Sequence, residues 1–265
     1  MRKRRPRLGQ HFLVAQRYRE RIIAALEFKR SDCWVEIGAG RGEMSVLLAE
    51  RVHRLVAVEL DPRLMPELRE RLQSFSTAQV LQADILRVDL CALANEAGTP
   101  LKIFGNLPFY ITTPILKHLF RATRSIAEAT VLVQREVAER LAAHPSTSAY
   151  GSLSVLTQFH SAPQILFDIP PGAFRPVPDV SSALVRLRMP GVGATLDLQD
   201  PERFLRFTAS CFASKRKTLF NNLRSRFGQR RIEEALKRLP LSARVRAEEL
   251  GVVELAALWQ LLEVR

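Results

Sequence analysis

Three glycines in the run VEIGAGRGE, Gly38, Gly40 and Gly42, follow a β-type stretch and open a helical one. Glycine at such a turn lets the backbone take positive φ angles and lets a ligand touch the main chain beside the unpaired amides of a helix start. Two cofactor classes use turns of this kind. A dinucleotide site wants Gly-x-Gly-x-x-Gly, but Glu43 stands where the third glycine belongs, and its carboxylate would oppose a pyrophosphate. Glycine at alternate positions with Glu36 just before it suits S-adenosyl-L-methionine instead, whose amino-acid end is zwitterionic and which carries no phosphate.

Three further stretches end in residues of matching chemistry. Glu59 closes RLVAVEL, 17 residues beyond Gly42, where a carboxylate accepts from both ribose hydroxyls of a nucleoside in a doubly wound fold. Asp84 closes AQVLQAD and is suited to accept from the adenine amine of the cofactor; its competing role is the N-cap of a short helix. The fourth stretch ends in GNLPFY, residues 105–110. An exocyclic adenine amine is a poor nucleophile, because its lone pair is delocalised into the ring, and it gains from acceptors for its hydrogens. The Asn106 side-chain oxygen and the Leu107 carbonyl are candidates for that task, Pro108 stiffens the turn, and Phe109 offers a stacking face. A sulfonium methyl donor needs no catalytic base of shifted pKa.

The elements that must position these residues follow from periodicity. CWVEIG (33–38), RLVAVEL (54–60), AQVLQAD (78–84), LKIFGN (101–106) and ATVLVQ (129–134) read as strands. EMSVLLAERV (43–52), DPRLMPELRERLQSF (61–75) and TPILKHLFRA (113–122) read as helices between them, with REVAERLAAH (135–144) after the last strand. The alternation predicts a Rossmann-like α/β fold with a mostly parallel sheet, whose ligands gather at the carboxyl ends of the strands. QILFDIP and SALVRLRM, joined by the turn-rich PPGAFRPVPDV, read as a late antiparallel hairpin. Gly/Pro punctuation in MPGVGATLDLQDP marks a boundary. Residues 1–190 are thus expected to form one domain and residues 191–265 a small all-helical one. Phe75, Phe120, Phe204 and Phe212 fall at helical apolar spacing and read as core.

Composition sets the remaining bounds. At 265 residues, 47% hydrophobic and 25% charged, the chain is an ordinary packed globular protein with no apolar run long enough to span a bilayer. Its basic N-terminus lacks the apolar block of a signal peptide. Cys33, Cys91 and Cys211 are far apart and form no Cys-x-x-Cys pair, which fits a reducing compartment, here the cytoplasm, and predicts neither disulfides nor a metal site. The net charge of +13 is unevenly placed: residues 1–30 carry +8, residues 31–190 zero and residues 191–265 +5. A neutral core with two basic ends suits a polyanionic partner. Arg2, Lys3, Arg4, Arg5 and Arg7 form one cluster. Lys215, Arg216 and Lys217 are read as opening a C-terminal helix from which Arg224 and Arg226 project.

With these motifs in this order, the chain resembles the ribosomal RNA adenine dimethyltransferase family, and within it the bacterial members acting near the 3′ end of small-subunit rRNA. The likeness runs from RPRLGQHFL (6–14) through VEIGAGRG, VELD, QADIL, GNLPFYITTPIL, LVQREVAERL, AYGSLSV and PPGAFRPVPDVSSALVRL to RKTLFNNL, nearly the whole chain. It implies a class I methyltransferase fold and transfer of two methyls to each of two adjacent adenosines in a hairpin loop of 16S rRNA, by a monomer acting on the small subunit or its precursor. A part in subunit assembly is implied too. It also implies that His11 and Leu13 contact the cofactor, together with Gly38, Glu59, Asp84 and Asn106; read alone, His11 is a solvated or core-edge histidine. Several family members have Asn, Tyr and Asp where this chain has His11, Phe109 and Ser181. The nearest rival is the related large-subunit rRNA methyltransferase, against which RKTLFNNL and AFRPVPDVSSALVRL speak. From another class comes a binding protein, an assembly factor or a transcription-factor relative, against which the intact Gly38, Glu59, Asp84 and Asn106 speak.

Overall fold

The computed structural model describes residues 10–263. The expected arginines Arg4 and Arg5, with the rest of the N-terminal cluster, lie outside them.

Seven strands form one sheet: β2 (Cys33–Ile37), β3 (Arg54–Glu59), β4 (Ala78–Gln82), β5 (Leu101–Asn106), β6 (Ile126–Gln134), β7 (Ala162–Ile169) and β9 (Ser182–Arg188), in the order β4-β3-β2-β5-β6-β9-β7. A separate two-stranded ladder joins β1 (Phe12–Leu13) to β8 (Phe174–Arg175). The pairs β2–β3, β3–β4, β2–β5 and β5–β6 are parallel, and β6–β9 is antiparallel. Parallel strands covered on both faces need apolar side chains on both sides, and β2, CWVEI, is buried at every position. At the edge, β4 (AQVLQ) has no fully buried residue and tolerates its glutamines. The chain runs from β2 outward to β3 and β4, then crosses back to place β5 on the other side of β2. That reversal creates a switch point where the carboxyl ends of β2 and β5 diverge, and such crevices are where open α/β sheets bind ligands.

The helices are α1 (Gln16–Ala25), α2 (Glu43–Ala49), α3 (Met65–Leu72), α4 (Leu90–Ala97), α5 (Thr112–Arg121), α6 (Arg135–Ala142), α7 (Ser152–His160), α8 (Pro201–Cys211), α9 (Leu219–Phe227), α10 (Gln229–Arg238) and α11 (Val252–Glu263). None is long and apolar enough to cross a membrane. The expected helices after β2, β3 and β5 are present as α2, α3 and α5. The expected late hairpin is more elaborate: β9 sits between β6 and β7, and the turn-rich link carries β8 to its pairing with β1.

The chain divides into two compact units. One runs through Ala138 and resumes over Gln164–Met189; the other holds Glu139–Pro163 and everything from Pro190. Residues 139–163, expected with the first domain, fall in the unit that holds the C-terminal helices. Apolar packing explains the transfer: Val155 and Phe159 of α7 join a buried cluster with Phe204, Phe207, Leu219 and Trp259, and the Phe159 and Phe204 rings lie 5.5 Å apart. Tyr150 adds a hydrogen bond from its hydroxyl to the Leu250 carbonyl at 3.0 Å. Phe120 and Phe204 are core residues, as expected, whereas Phe75 and Phe212 pack only half-buried against their clusters.

The Lys215–Lys217 cluster does not open a helix. Thr218 caps α9 through its side chain, which accepts from the Asn221 amide, so the three basic residues form an exposed turn ahead of it. Arg224 is exposed in the last turn of α9, whereas Arg226 is held by Glu263 at 3.3 Å and packs over Trp259.

Candidate active site

At the switch point the glycine turn and the GNLPFY segment face one another across an open cleft of about 800 Å³. Gly38, Gly40 and Gly42 all have positive φ, at 72°, 60° and 91°. Gly40 is also sterically required, because a Cβ there would stand 3.2 Å from the Phe12 ring. On the opposite side β5 must approach β2 closely, and a Cβ at Gly105 would lie 3.0 Å from that of Ile37. The sequence Gly-Asn is therefore what lets Asn106 emerge at the mouth of the switch point.

Glu59 ends β3 with its carboxylate buried and both oxygens engaged. Oε2 accepts from the Gly40 amide and Oε1 from the Asp61 amide, each at 2.8 Å. The carboxylate thus ties the glycine turn to the end of the neighbouring strand, and each oxygen retains a lone pair toward the cleft. Asp84 takes the capping role and also stands at the cleft. It caps the short helical turn 85–87 by accepting from the Leu86 amide at 3.0 Å, and it lines the cleft.

The geometry around Asn106 is decided by one contact. Its amide nitrogen Nδ2 donates to the His11 carbonyl at 2.8 Å. A carbonyl only accepts, so the side chain cannot be turned the other way, and Oδ1 is left as an acceptor in the cleft wall. The following turn is closed by Pro108, whose carbonyl accepts from the Ile111 amide at 3.1 Å and the Thr112 hydroxyl at 3.0 Å. Phe109 stacks on the His11 ring with centroids 5.4 Å apart and planes at 25°. The His11 Nδ1 lies 2.7 Å from the Pro176 carbonyl and donates to it. Residue 11 therefore braces both ends of the Asn106–Phe109 segment, one with its carbonyl and the other with its ring.

Of the expected residues, His11, Gly38, Gly40, Glu59, Asp84, Asn106, Leu107, Pro108 and Phe109 all line the cleft. Leu13 does not. It pairs with Phe174 across the β1–β8 ladder and is buried in the core, whereas its neighbour Phe12 lines the cleft. Phe12, Leu60, Ile85 and Tyr110 also line the cleft without having been singled out. The signal for Tyr110 was present as the second aromatic of NLPFY. Phe12 had none, because a two-residue strand shows no period.

Behind the turn, Glu36 is fully buried and accepts from the Ser45 hydroxyl. Burial pushes its carboxyl up to about 8, with smaller contributions from Glu59 and Glu43, so it is neutral at pH 7. The folded value lies above the unfolded one. The stabilisation is therefore complete below about pH 4.5 and is lost as pH rises toward 8, at ~1.4 kcal/mol per pH unit. Glu36→Gln removes the titration. Denaturant midpoints of variant and parent at pH 5, 6 and 7 should separate in the variant's favour by that slope, and parallel curves would show that Glu36 is ionised in the native state.

Comparison with known proteins shows the family. The profile of the family described as ribosomal RNA adenine dimethylase matches residues 1–262. The chain belongs to this family. A relative from Acidobacterium capsulatum named ribosomal RNA small subunit methyltransferase A is 47% identical over 99% of this chain and 93% of its own. One of the same name from Streptococcus gordonii is 39% identical over 94% of this chain and 89% of its own. Among solved structures, the 23S rRNA methyltransferase ErmE superposes with a TM-score of 0.73 at 26% identity, covering 96% of this chain and all of that one. A dimethyladenosine transferase from Plasmodium falciparum reaches 0.77 at 20% identity, over 94% and 96% of the two chains, and shares the fold. The protein is thus an rRNA adenine dimethyltransferase with the Rossmann-like class I architecture and added C-terminal helices expected from its sequence.

Proposed function

We propose that the protein transfers methyl groups from S-adenosyl-L-methionine to the N6 amines of two adjacent adenosines, two on each, in the 3′-terminal hairpin loop of 16S rRNA. The substrate is the small ribosomal subunit or its precursor, and docking there gives the protein a part in subunit assembly. The orientation of Asn106 carries this reading: an acceptor held at the cleft wall between a nucleoside-binding strand end and a stacking ring is what an adenine amine requires. Bound, S-adenosyl-L-methionine supplies an electrophilic methyl group. The residues present fit it, with Gly38 and Gly40 as the wall for its amino-acid end, Glu59 for its ribose hydroxyls and Asp84 for its adenine amine.

The chain's own contribution to the step is positional. Asn106 Oδ1 and the Leu107 carbonyl accept from the two hydrogens of the target amine and so aim its lone pair. Phe109, held by His11, receives the face of a base that has left its stack, at a cost smaller in a loop than in a duplex. Lys215, Arg216, Lys217 and Arg224 are exposed and supply phosphate contacts, with Arg4 and Arg5 as further candidates. The full-length likeness to proteins named for the small subunit favours 16S over 23S rRNA, since the 23S enzyme matches at only 26% identity.

The test is incubation of purified protein and labelled donor with unmethylated small or large subunits, followed by nucleoside analysis. Label should enter N6,N6-dimethyladenosine at two adjacent positions of the small subunit. Incorporation confined to large subunits would overturn the assignment.

A further inference from the structure

Phe12 is a wall shared by two depressions. On one side it lines the cleft with His11 and Gly40; on the other it lines an open groove of about 720 Å³ with Val14, Arg41, Glu43, Arg175 and Pro176. The groove combines an apolar floor with two exposed guanidinium groups and one carboxylate. Val14, at 42% exposure, is among the large apolar residues that the fold leaves in solvent.

Among the described residues neither arginine is held in a short ion pair. Arg41 lies 5.6 Å from the Phe12 ring centre and pairs only at 3.8 Å with Oε2 of Glu67, whose Oε1 is engaged by Arg71 at 2.9 Å. Arg175 donates to the Gly172 and Phe174 carbonyls through Nη1, and among the described residues no carboxylate pairs with it. The groove is also continuous with the catalytic wall. The Pro176 carbonyl at its edge accepts a hydrogen bond from His11 Nδ1, and the His11 ring stacks on Phe109. A chain whose base lies against Phe109 therefore passes this groove with its next residue.

We infer that the groove seats the nucleotide adjacent to the target adenosine. Its phosphate lies on Arg41 and Arg175, its base on Phe12, Val14 and Pro176, and its exocyclic amine against Glu43. This rests on the function proposed above and adds to it a reason for acting on adenosine pairs. A bare polyanion would be repelled by Glu43, whereas a nucleotide with an amino-bearing base offers each of the three groups its complement. Phe12 then separates the cofactor from the neighbouring nucleotide, with the target base between Phe109 and the donor.

Two sets of measurements test the groove. With small subunits as substrate, Arg41→Gln combined with Arg175→Gln should raise KM for RNA about tenfold or more, the effect of losing a charge-assisted contact. The log–log salt dependence of binding should become shallower by roughly 0.7 for one lost single-strand phosphate contact. The affinity for S-adenosyl-L-methionine, measured by calorimetry, should stay at the parent's value and so report an intact fold. Should Arg175→Gln unfold, Arg41→Gln alone serves for the comparison. In hairpin RNAs where either adenosine of the pair is replaced by purine riboside, which lacks the amine, the parent should methylate the remaining adenosine about tenfold less efficiently in at least one arrangement. Glu43→Ala, which leaves no acceptor there, should abolish that penalty. An unchanged KM and salt slope, or a purine riboside penalty equal in parent and Glu43→Ala, would overturn the groove. A parent protein that methylates neither subunits nor hairpin would overturn the function itself, and the groove with it.

Discussion

Asn106→Ala should lower kcat for methyl transfer by about 10²–10³-fold or more, the usual cost of removing a group that orients or stabilises the reacting atoms. Affinity for S-adenosyl-L-methionine and for the subunit should change little. The substitution removes the Oδ1 acceptor and also the Nδ2 bond to the His11 carbonyl, so the amine is left unaimed and the brace to the N-terminal segment is released. Asn106→Asp separates the two effects. A carboxylate still accepts from an amine, but it brings an oxygen against the His11 carbonyl, where only a donor is tolerated. If aiming the amine were all that mattered, the aspartate would restore much of the rate; the contact with His11 predicts that it does not. Single-turnover rates at saturating donor measure this directly, and a fully active alanine variant would remove Asn106 from the chemistry.

Much of this site could be read before the fold was known, for a physical reason. Strands buried on both faces must be continuous apolar runs, so β2, β3, β5 and β6 announce themselves, and in a doubly wound sheet the residues at their ends are brought together by topology. Gly38, Glu59 and Asn106 were legible because each ends or follows such a run, and Asp84 because it follows the shorter edge strand β4. What escaped detection depends on pairings distant in sequence. β1 and β8 are two residues each, too short for any period, yet their ladder sets Phe12 in the wall and buries Leu13. The stretch 139–163 reads as local helix, and only the meeting of Phe159 with Phe204 assigns it to the helical unit. His11 had no visible partner in sequence because its partners, Asn106, Phe109 and Pro176, lie far along the chain.

Glu59→Gln should show the opposite kinetic signature to the Asn106 variants. The carboxylate accepts from two backbone amides, Gly40 and Asp61. Glutamine can present an oxygen to one of them only, and its NH2 group then confronts the other donor. Loss of the Gly40 contact frees a turn held at positive φ, and the ribose hydroxyls lose a charged acceptor at the same time. Charge-assisted hydrogen bonds contribute about 1.5–3 kcal/mol each, so the affinity for S-adenosyl-L-methionine should fall by roughly 10²-fold. Because the contact holds the cofactor before and during transfer alike, the loss should fall on its KM and Kd, with kcat at saturating donor largely retained. Titration calorimetry gives the Kd, and a thermal melt confirms that the variant is folded. An unaltered affinity would mean that Glu59 serves the turn and never touches the donor. A collapse of kcat with normal affinity would assign it to the transfer step, beside Asn106.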